Sequence, residues 1–227
     1  MTEIVQKHEV LIYELVQEYV EQNRVFNAKQ IVPYLTSRIT KSKINLNEKG
    51  IKLILQKLIE KDYIREGTTL IKSELLKNQN REKIYTFIKN HPGTFFQRIV
   101  KELRYNKSVV AWHLKILQKF NCIDSLNFDN RDIYVVNDFP VVIAKIVYLC
   151  SHKKSYTIIK YFLKNHSNVK KSDLYKRLNM HHYTVKKFLS LLEETQIIKR
   201  EIKSRTSYYE FNKEYFQSII RKYNLSV

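Results

Sequence analysis

Ile84-Tyr85-Thr86-Phe87-Ile88-Lys89-Asn90 returns 75 residues later as Ile159-Lys160-Tyr161-Phe162-Leu163-Lys164-Asn165. The register then holds without a gap through Ile99/Leu174, Leu103/Leu178, Val110/Val185, Leu114/Leu189, Leu117/Leu192, Ile123/Ile198, Tyr134/Tyr209 and Asn137/Asn212. Mostly the apolar skeleton returns, while the polar residues between differ freely. A core restricts volume and polarity far more than a surface does, so this pattern marks one fold used twice.

Within each copy the periodicities follow one order. A helix is expected over 81–90 and 157–165, with Ile84, Phe87 and Ile88 on one face. His91-Pro92-Gly93-Thr94 is a turn signal that stops the first of them. Short helices follow over 97–103 and 172–178, the second with Ser172 as its N-cap. A tight turn leads to longer helices over about 107–120 and 182–195, where Val110, Leu114 and Leu117, or Val185, Leu189 and Leu192, share a face. Alternating β-like runs close each copy, 122–126 with 133–136 around Asp129-Asn130-Arg131, and 197–202 with 208–211 around Lys203-Ser204-Arg205.

A weaker third copy precedes these. At an offset of 59, Ile51, Leu55, Leu58 and Ile64 align with Val110, Leu114, Leu117 and Ile123. Upstream, 4–21 reads as an amphipathic helix and 28–39 as a second, broken by Pro33. Residues 40–46 would then form a longer turn, and 65–71 leave room only for a stunted wing.

Helix, short helix, turn, longer helix and β-hairpin is an order that resembles the winged helix-turn-helix. Residues 95–106 followed by Lys107-Ser108-Val109-Val110-Ala111-Trp112-His113-Leu114 resemble ArsR/MarR-type transcriptional regulators of archaea and bacteria. The likeness covers 80–137 well and 155–212 fairly well. It implies a fold that is mainly α with small β-hairpin wings (α+β), in tandem winged-helix domains over 76–139 and 140–227. Residues 1–75 read as a winged-helix-like or helical docking domain.

Lys and Arg number 41 against 22 acidic residues, a net charge of +19. Residues 1–75 carry +2, 76–139 carry +5 and 140–227 carry +12. A basic excess most often faces phosphate, usually on nucleic acid, although drift in a Lys-, Asn- and Ile-rich chain accounts for part of it. Three glycines leave no phosphate-cradling loop and little room for an all-β fold. The apolar run 140–150 contains Lys145 and is too short to cross a bilayer. Residues 1–7 lack a signal-peptide layout, and Cys122 and Cys150 lack metal-like spacing, which points to a reduced cytoplasmic setting. No cofactor, metal site or catalytic constellation is expected. His181 and His182 are adjacent and would diverge on a helix, and His113 reads as a packing residue.

Candidate contacts with nucleic acid follow from the helical register. With the apolar triads turned inward, Lys107, Ser108, Ala111, Trp112 and Lys115 face outward in the first copy, with Val109 in the slot that Thr184 fills in the second. The second copy likewise exposes His182, Tyr183, Lys186 and Lys187. A helix fits the major groove, its first turns reach base edges, and flanking cations meet phosphates. Trp112 either stacks on a sugar or covers a seam against a neighbouring domain. Arg131, Lys203 and Arg205 sit at wing tips, from which a side chain can enter a minor groove or simply be solvated. Lys170 and Lys171 are candidate backbone contacts.

Double-stranded DNA is thus the expected partner and transcription regulation the expected role. The alternative is a winged-helix interaction scaffold of the ESCRT-II or polymerase-associated kind, since fold alone does not separate these. Residues 1–75, nearly neutral, are the expected seat of a homodimer or protein contact. No membrane is implied.

Overall fold

The computed structural model describes residues 2–22, 25–42, 44–165, 168–204 and 206–223. It is mainly helical, with two small antiparallel sheets. Two compact units form: Met1–Thr86 with Tyr105–Ile123, and Phe87–Arg104 with Asp124–Val227.

In the first unit, α1 (Thr2–Glu21), α2 (Ala28–Lys41) and α3 (Glu48–Glu60) enclose a core of Ile12, Val16, Ile31, Leu35, Ile51 and Leu55 among others. Asparagines start both later helices. The Asn27 side chain accepts from the amides of Lys29 and Gln30, and that of Asn47 from Gly50. Pro33 does not break α2, contrary to expectation. It stands on the exposed side, where water can satisfy the carbonyl one turn back that its missing N–H leaves free. The stunted wing is a single antiparallel bridge, Ile64 to Ile71, followed by a 3-10 turn over Lys72–Lys77. Next comes α4 (Gln79–Asn90), whose first residues lie in this unit. Of the middle copy's later part, α6 (Lys107–Lys119) also belongs here, with Val110, His113, Leu114 and Leu117 buried.

The second unit contains α5 (Phe96–Leu103), α7 (Val141–Ser151), α8 (Lys153–Lys164), α9 (Lys171–Arg177), α10 (His182–Glu194) and α11 (Lys213–Lys222). Its first sheet comprises β1 (Thr94–Phe95), β2 (Ile123–Phe128) and β3 (Arg131–Val136), in the order β1-β3-β2. The second comprises β4 (Val169–Lys170), β5 (Ile198–Lys203) and β6 (Thr206–Phe211), in the order β4-β6-β5. Their registers correspond residue for residue: Thr94 faces Tyr134 as Val169 faces Tyr209. The two-residue strands β1 and β4 were not expected, because two residues carry no alternation to read.

The three copies share one helix terminus. Asp62, Asn121 and Gln196, at the offsets of 59 and 75, have φ of 58°, 47° and 62°. The amides of Tyr63, Cys122 and Ile197 reach back to the carbonyls of Leu58, Leu117 and Leu192 at 2.9, 2.9 and 3.2 Å. This is the Schellman arrangement, in which a left-handed residue caps the carbonyls at the end of the helix. α9 starts differently from the sequence expectation. Lys170 is its N-cap and makes no side-chain cap bond, while the Ser172 hydroxyl donates to the Asp173 carboxylate at 3.3 Å.

Apolar except for Lys145, the run 140–150 forms α7, exposed at Val141 and Val142 and buried from Ile143 to Leu149 on most sides. Ile143, Ile146, Tyr148 and Leu149 join Phe128 and Ile133 of the first hairpin and Ile158, Phe162, Val185 and Leu189 beyond in one core. Gly93 lies at φ 78° against this helix, and a Cβ there would stand 2.2 Å from the Ala144 carbonyl oxygen. Gly93→Ala therefore meets both a backbone clash and an unfavourable φ, and is expected to cost roughly 2–4 kcal/mol. Gln196→Gly, which relieves an L-residue at positive φ, is expected to gain about 0.5 kcal/mol. Urea denaturation followed by circular dichroism checks both signs.

Candidate nucleic-acid interface

One cationic surface of the second unit is built from the head of α10 and the hairpin β5–β6. His181 is the N-cap of α10, and so lies outside the helix. For that reason its ring does not diverge from its neighbour's as helical spacing would require. The rings of His181 and His182 lie 4.5 Å apart, and Tyr183 stacks on His181 at 5.4 Å. Tyr183 is 67% exposed. His182 and Lys186 are exposed and Thr184 is half-buried. Beside them a cleft of about 640 Å³ is lined by Lys171, Ser172, Tyr175, His182, Thr206 and Ser207. Four hydroxyls, one ammonium and an imidazole give a lining suited to an anionic oxygen. Lys170 leans over the Tyr208 ring, its Nζ 5.7 Å from the centroid, and Lys171 is half-buried.

Strand β5 lies open to solvent, every residue after Ile198 being exposed, while β6 behind it is half-buried. Lys199, Arg200 and Lys203 give β5 positive charge, and Ile202 stands exposed among them. Lys203 pairs with Glu201 at 2.9 Å, which raises its ammonium pKa. Arg205 lies outside the described residues.

The corresponding hairpin of the middle copy is differently placed. Leu126 and Phe128 turn into the core, where the same positions of β5 hold Glu201 and Lys203. At its tip Asp129 and Asn130 take positive φ, 55° and 58°. The Asp129 side chain is only 3% exposed. It accepts the Tyr148 hydroxyl at 2.8 Å and the Lys187 ammonium at 2.5 Å. Arg131 is exposed at the start of β3, but its guanidinium lies 5.1 Å from the centroid of the Phe95 ring. The tip is thus held by its own unit, because its carboxylate is buried against α7 and α10.

On α6, Lys107, Ser108, Trp112 and Lys115 are exposed, while Val109 and Ala111 are half-buried. Trp112 is 54% exposed. Its ring lies 5.7 Å from the Arg81 guanidinium and 4.7 Å from the His113 ring. Arg81 is itself buried, donating to the Leu75 carbonyl at 2.6 Å. Burial, and then the Arg81 charge, hold the His113 imidazole below its usual range. Asn121, past the end of α6, donates to the Asp62 carboxylate at 2.5 Å.

Sequence reasoning missed Asp129 and Tyr148 as an anchor, the cleft hydroxyls, and Arg200. The anchor had a signal in the offset of 75: Leu126, Phe128 and Asp129 stand where Glu201, Lys203 and Ser204 stand later. Among the described residues no cluster of His, Cys, Asp or Glu could hold a metal ion, and no helix is long and apolar enough to cross a membrane. Cys150 is half-buried, and desolvation pushes its thiol pKa up to about 12.

No protein-family model matches the chain. The chain is 33% identical, over 166 residues, to an uncharacterised HTH-type transcriptional regulator of Methanocaldococcus jannaschii. That alignment covers 72% of this chain and 42% of the relative, so the chain spans less than half the relative's length. Two solved structures of the ESCRT-II endosomal trafficking complex contain chains similar over 92% of this one and 91% of their own, at 12% identity. Their TM-score is 0.24, a likeness too slight to bear on fold or function.

Burial also lowers the pKa of His152, against the opposing pull of Asp129. Both His113 and His152 therefore bind protons less readily folded than unfolded, so their stabilisation is complete above about pH 6.5 and is lost as pH falls. The unfolding free energy is expected to drop below pH 6.5, by at most about 1.4 kcal/mol per pH unit for each histidine. His113→Leu should flatten this slope. Urea titrations at pH 7.5 and 5.0, read on the chain's one tryptophan, Trp112, check it; equal midpoints would contradict it.

Proposed function

We propose that the protein is a double-stranded DNA-binding transcriptional regulator, of the ArsR/MarR-like winged helix-turn-helix type, working through tandem modules over residues 1–75, 76–139 and 140–227. One observation carries this reading: an exposed α10 head and a cationic hairpin, open to solvent along β5, flank a hydroxyl-lined cleft. In this reading α10 enters the major groove, with His182, Tyr183 and Thr184 at base edges and Lys186 on phosphate. The cleft with Lys170 and Lys171, and the hairpin with Arg200, Lys203 and Arg205, meet the flanking backbone and the minor groove. The likeness to a helix-turn-helix regulator supports the same direction. On α6, Lys107, Ser108, Val109, Ala111, Trp112 and Lys115 form a lesser candidate surface, as does Arg131 on the first hairpin.

A second reading, protein docking or homodimer formation by residues 1–75, is supported by the surface of α3. A cleft of about 820 Å³ between α2 and α3 is floored by Val32, Pro33, Leu55 and Ile59 and flanked by Lys29, Glu48, Lys52 and Glu60. Glu48 pairs with Lys52 at 2.6 Å, so the rim is close to neutral, and an apolar floor suits a protein.

Duplex affinity is expected to fall steeply with salt as bound cations release counterions. Lys186→Glu with Arg200→Glu should weaken binding at least tenfold more than Lys49→Glu with Lys52→Glu, as two lost charge-assisted contacts imply. Gel-shift titrations at several salt concentrations measure both. No duplex binding at low salt, or equal losses for the two pairs, would contradict the reading.

A further inference from the structure

Lys186 and Lys187 are sequence neighbours on α10 and both are exposed enough to meet a phosphate. Their surroundings differ. Lys187 Nζ sits 2.5 Å from the Asp129 carboxylate, while the ion pairs found among the described residues leave Lys186 out. The Asp129 side chain is almost wholly buried and takes a second bond, from the Tyr148 hydroxyl of α7. A carboxylate so placed loses much if its cation leaves, so the pair does not exchange freely with solvent. His152, the residue that ends α7, packs against Phe188 at 4.8 Å and closes the same corner.

The earlier copy fills the corresponding positions with other residues. Trp112 stands where Lys187 stands, and Ser204 of the later hairpin where Asp129 stands. The ion pair thus joins two features that each belong to one copy alone: a hairpin with a buried acidic side chain at its tip, and a helix with a lysine to meet it. The first hairpin cannot offer that tip to a duplex while its carboxylate is buried on α10.

We infer that the first hairpin acts as an internal strut, with Asp129 as a positioning residue that occupies Lys187 and fixes the pose of α10, so that Lys186 alone of the pair delivers its charge to DNA. This rests on the duplex-binding reading above. In effect the Asp129 carboxylate takes the place of a phosphate on Lys187.

The salt dependence of duplex affinity separates the two lysines, because each phosphate contact contributes about 0.9 to the slope of log affinity against log salt. Slopes are measured for the intact chain and for Lys186→Met, Lys187→Met and Asp129→Asn. Lys186→Met is expected to lower the slope by about 0.9 and Lys187→Met to leave it unchanged. Asp129→Asn keeps an acceptor for the Tyr148 hydroxyl but frees the Lys187 ammonium, so its slope should rise by about 0.9. A merely structural pair would not produce that rise. A fall in slope for Lys187→Met, or an unaltered slope for Asp129→Asn, overturns the inference. Should Asp129→Asn fail to fold, Lys187→Met still decides. Absence of duplex binding by the intact chain overturns this and the functional reading together, whereas binding with the wrong pattern of slopes overturns the strut alone.

Discussion

A carboxylate removed from water must be compensated where it lies, and Asp129 is such a carboxylate. It is met by a hydroxyl from α7 and an ammonium from α10. The contact holds the tip of the first hairpin, the apolar helix after it and the candidate reading helix of the last copy in one arrangement. Phe128 and Ile133 extend that arrangement as an unbroken core through Ile146, Tyr148 and Leu149 to Val185 and Leu189. Burial keeps the Tyr148 hydroxyl protonated far above its ordinary range, and the Asp129 bond adds to the effect. The corner is therefore a neutral hydroxyl and a matched ion pair, not a stack of bare charges.

From this follows a division of labour between two copies of one fold. The earlier hairpin turns Leu126 and Phe128 inward and becomes part of a core. The later hairpin carries Glu201 and Lys203 at those positions and opens β5 to solvent, with Lys199 and Arg200 beside them. The charge gradient along the chain, from +2 through +5 to +12, matches this division. In the proposed function the cationic end meets the duplex. An apolar cleft whose rim balances Lys29 and Lys52 against Glu48 and Glu60 suits the nearly neutral beginning to a protein instead.

The apolar skeleton was legible in the sequence because buried positions repeat while surfaces drift. The helices, the hairpins and even the shared helix terminus, with Asp62, Asn121 and Gln196 in one slot, fall at the offsets of 59 and 75. What lay beyond reading was direction. A strand's alternation shows that it has two faces, and does not show which neighbour covers either. So Arg131 read like any tip cation, though it stacks on Phe95, and Lys187 read like Lys186, though it is paired. The run 140–150 had no clear period because apolar residues fall on most sides of α7, with only Lys145 between them. Pro33 was expected to break a helix that its exposed position lets continue, and Ser172 had cap chemistry but sits within the first turn of its helix.

Amide hydrogen exchange across the two hairpins, with and without duplex DNA, tests the central claim most directly. Slow exchange in β2 and β3 that DNA leaves unchanged is expected of a hairpin anchored in its own unit's core through Phe128 and Ile133. Exchange in β5 and β6 should be faster in the free protein and slow on adding duplex. New protection by DNA at 123–136, with none at 198–211, would contradict the assignment of strut and contact to the two copies.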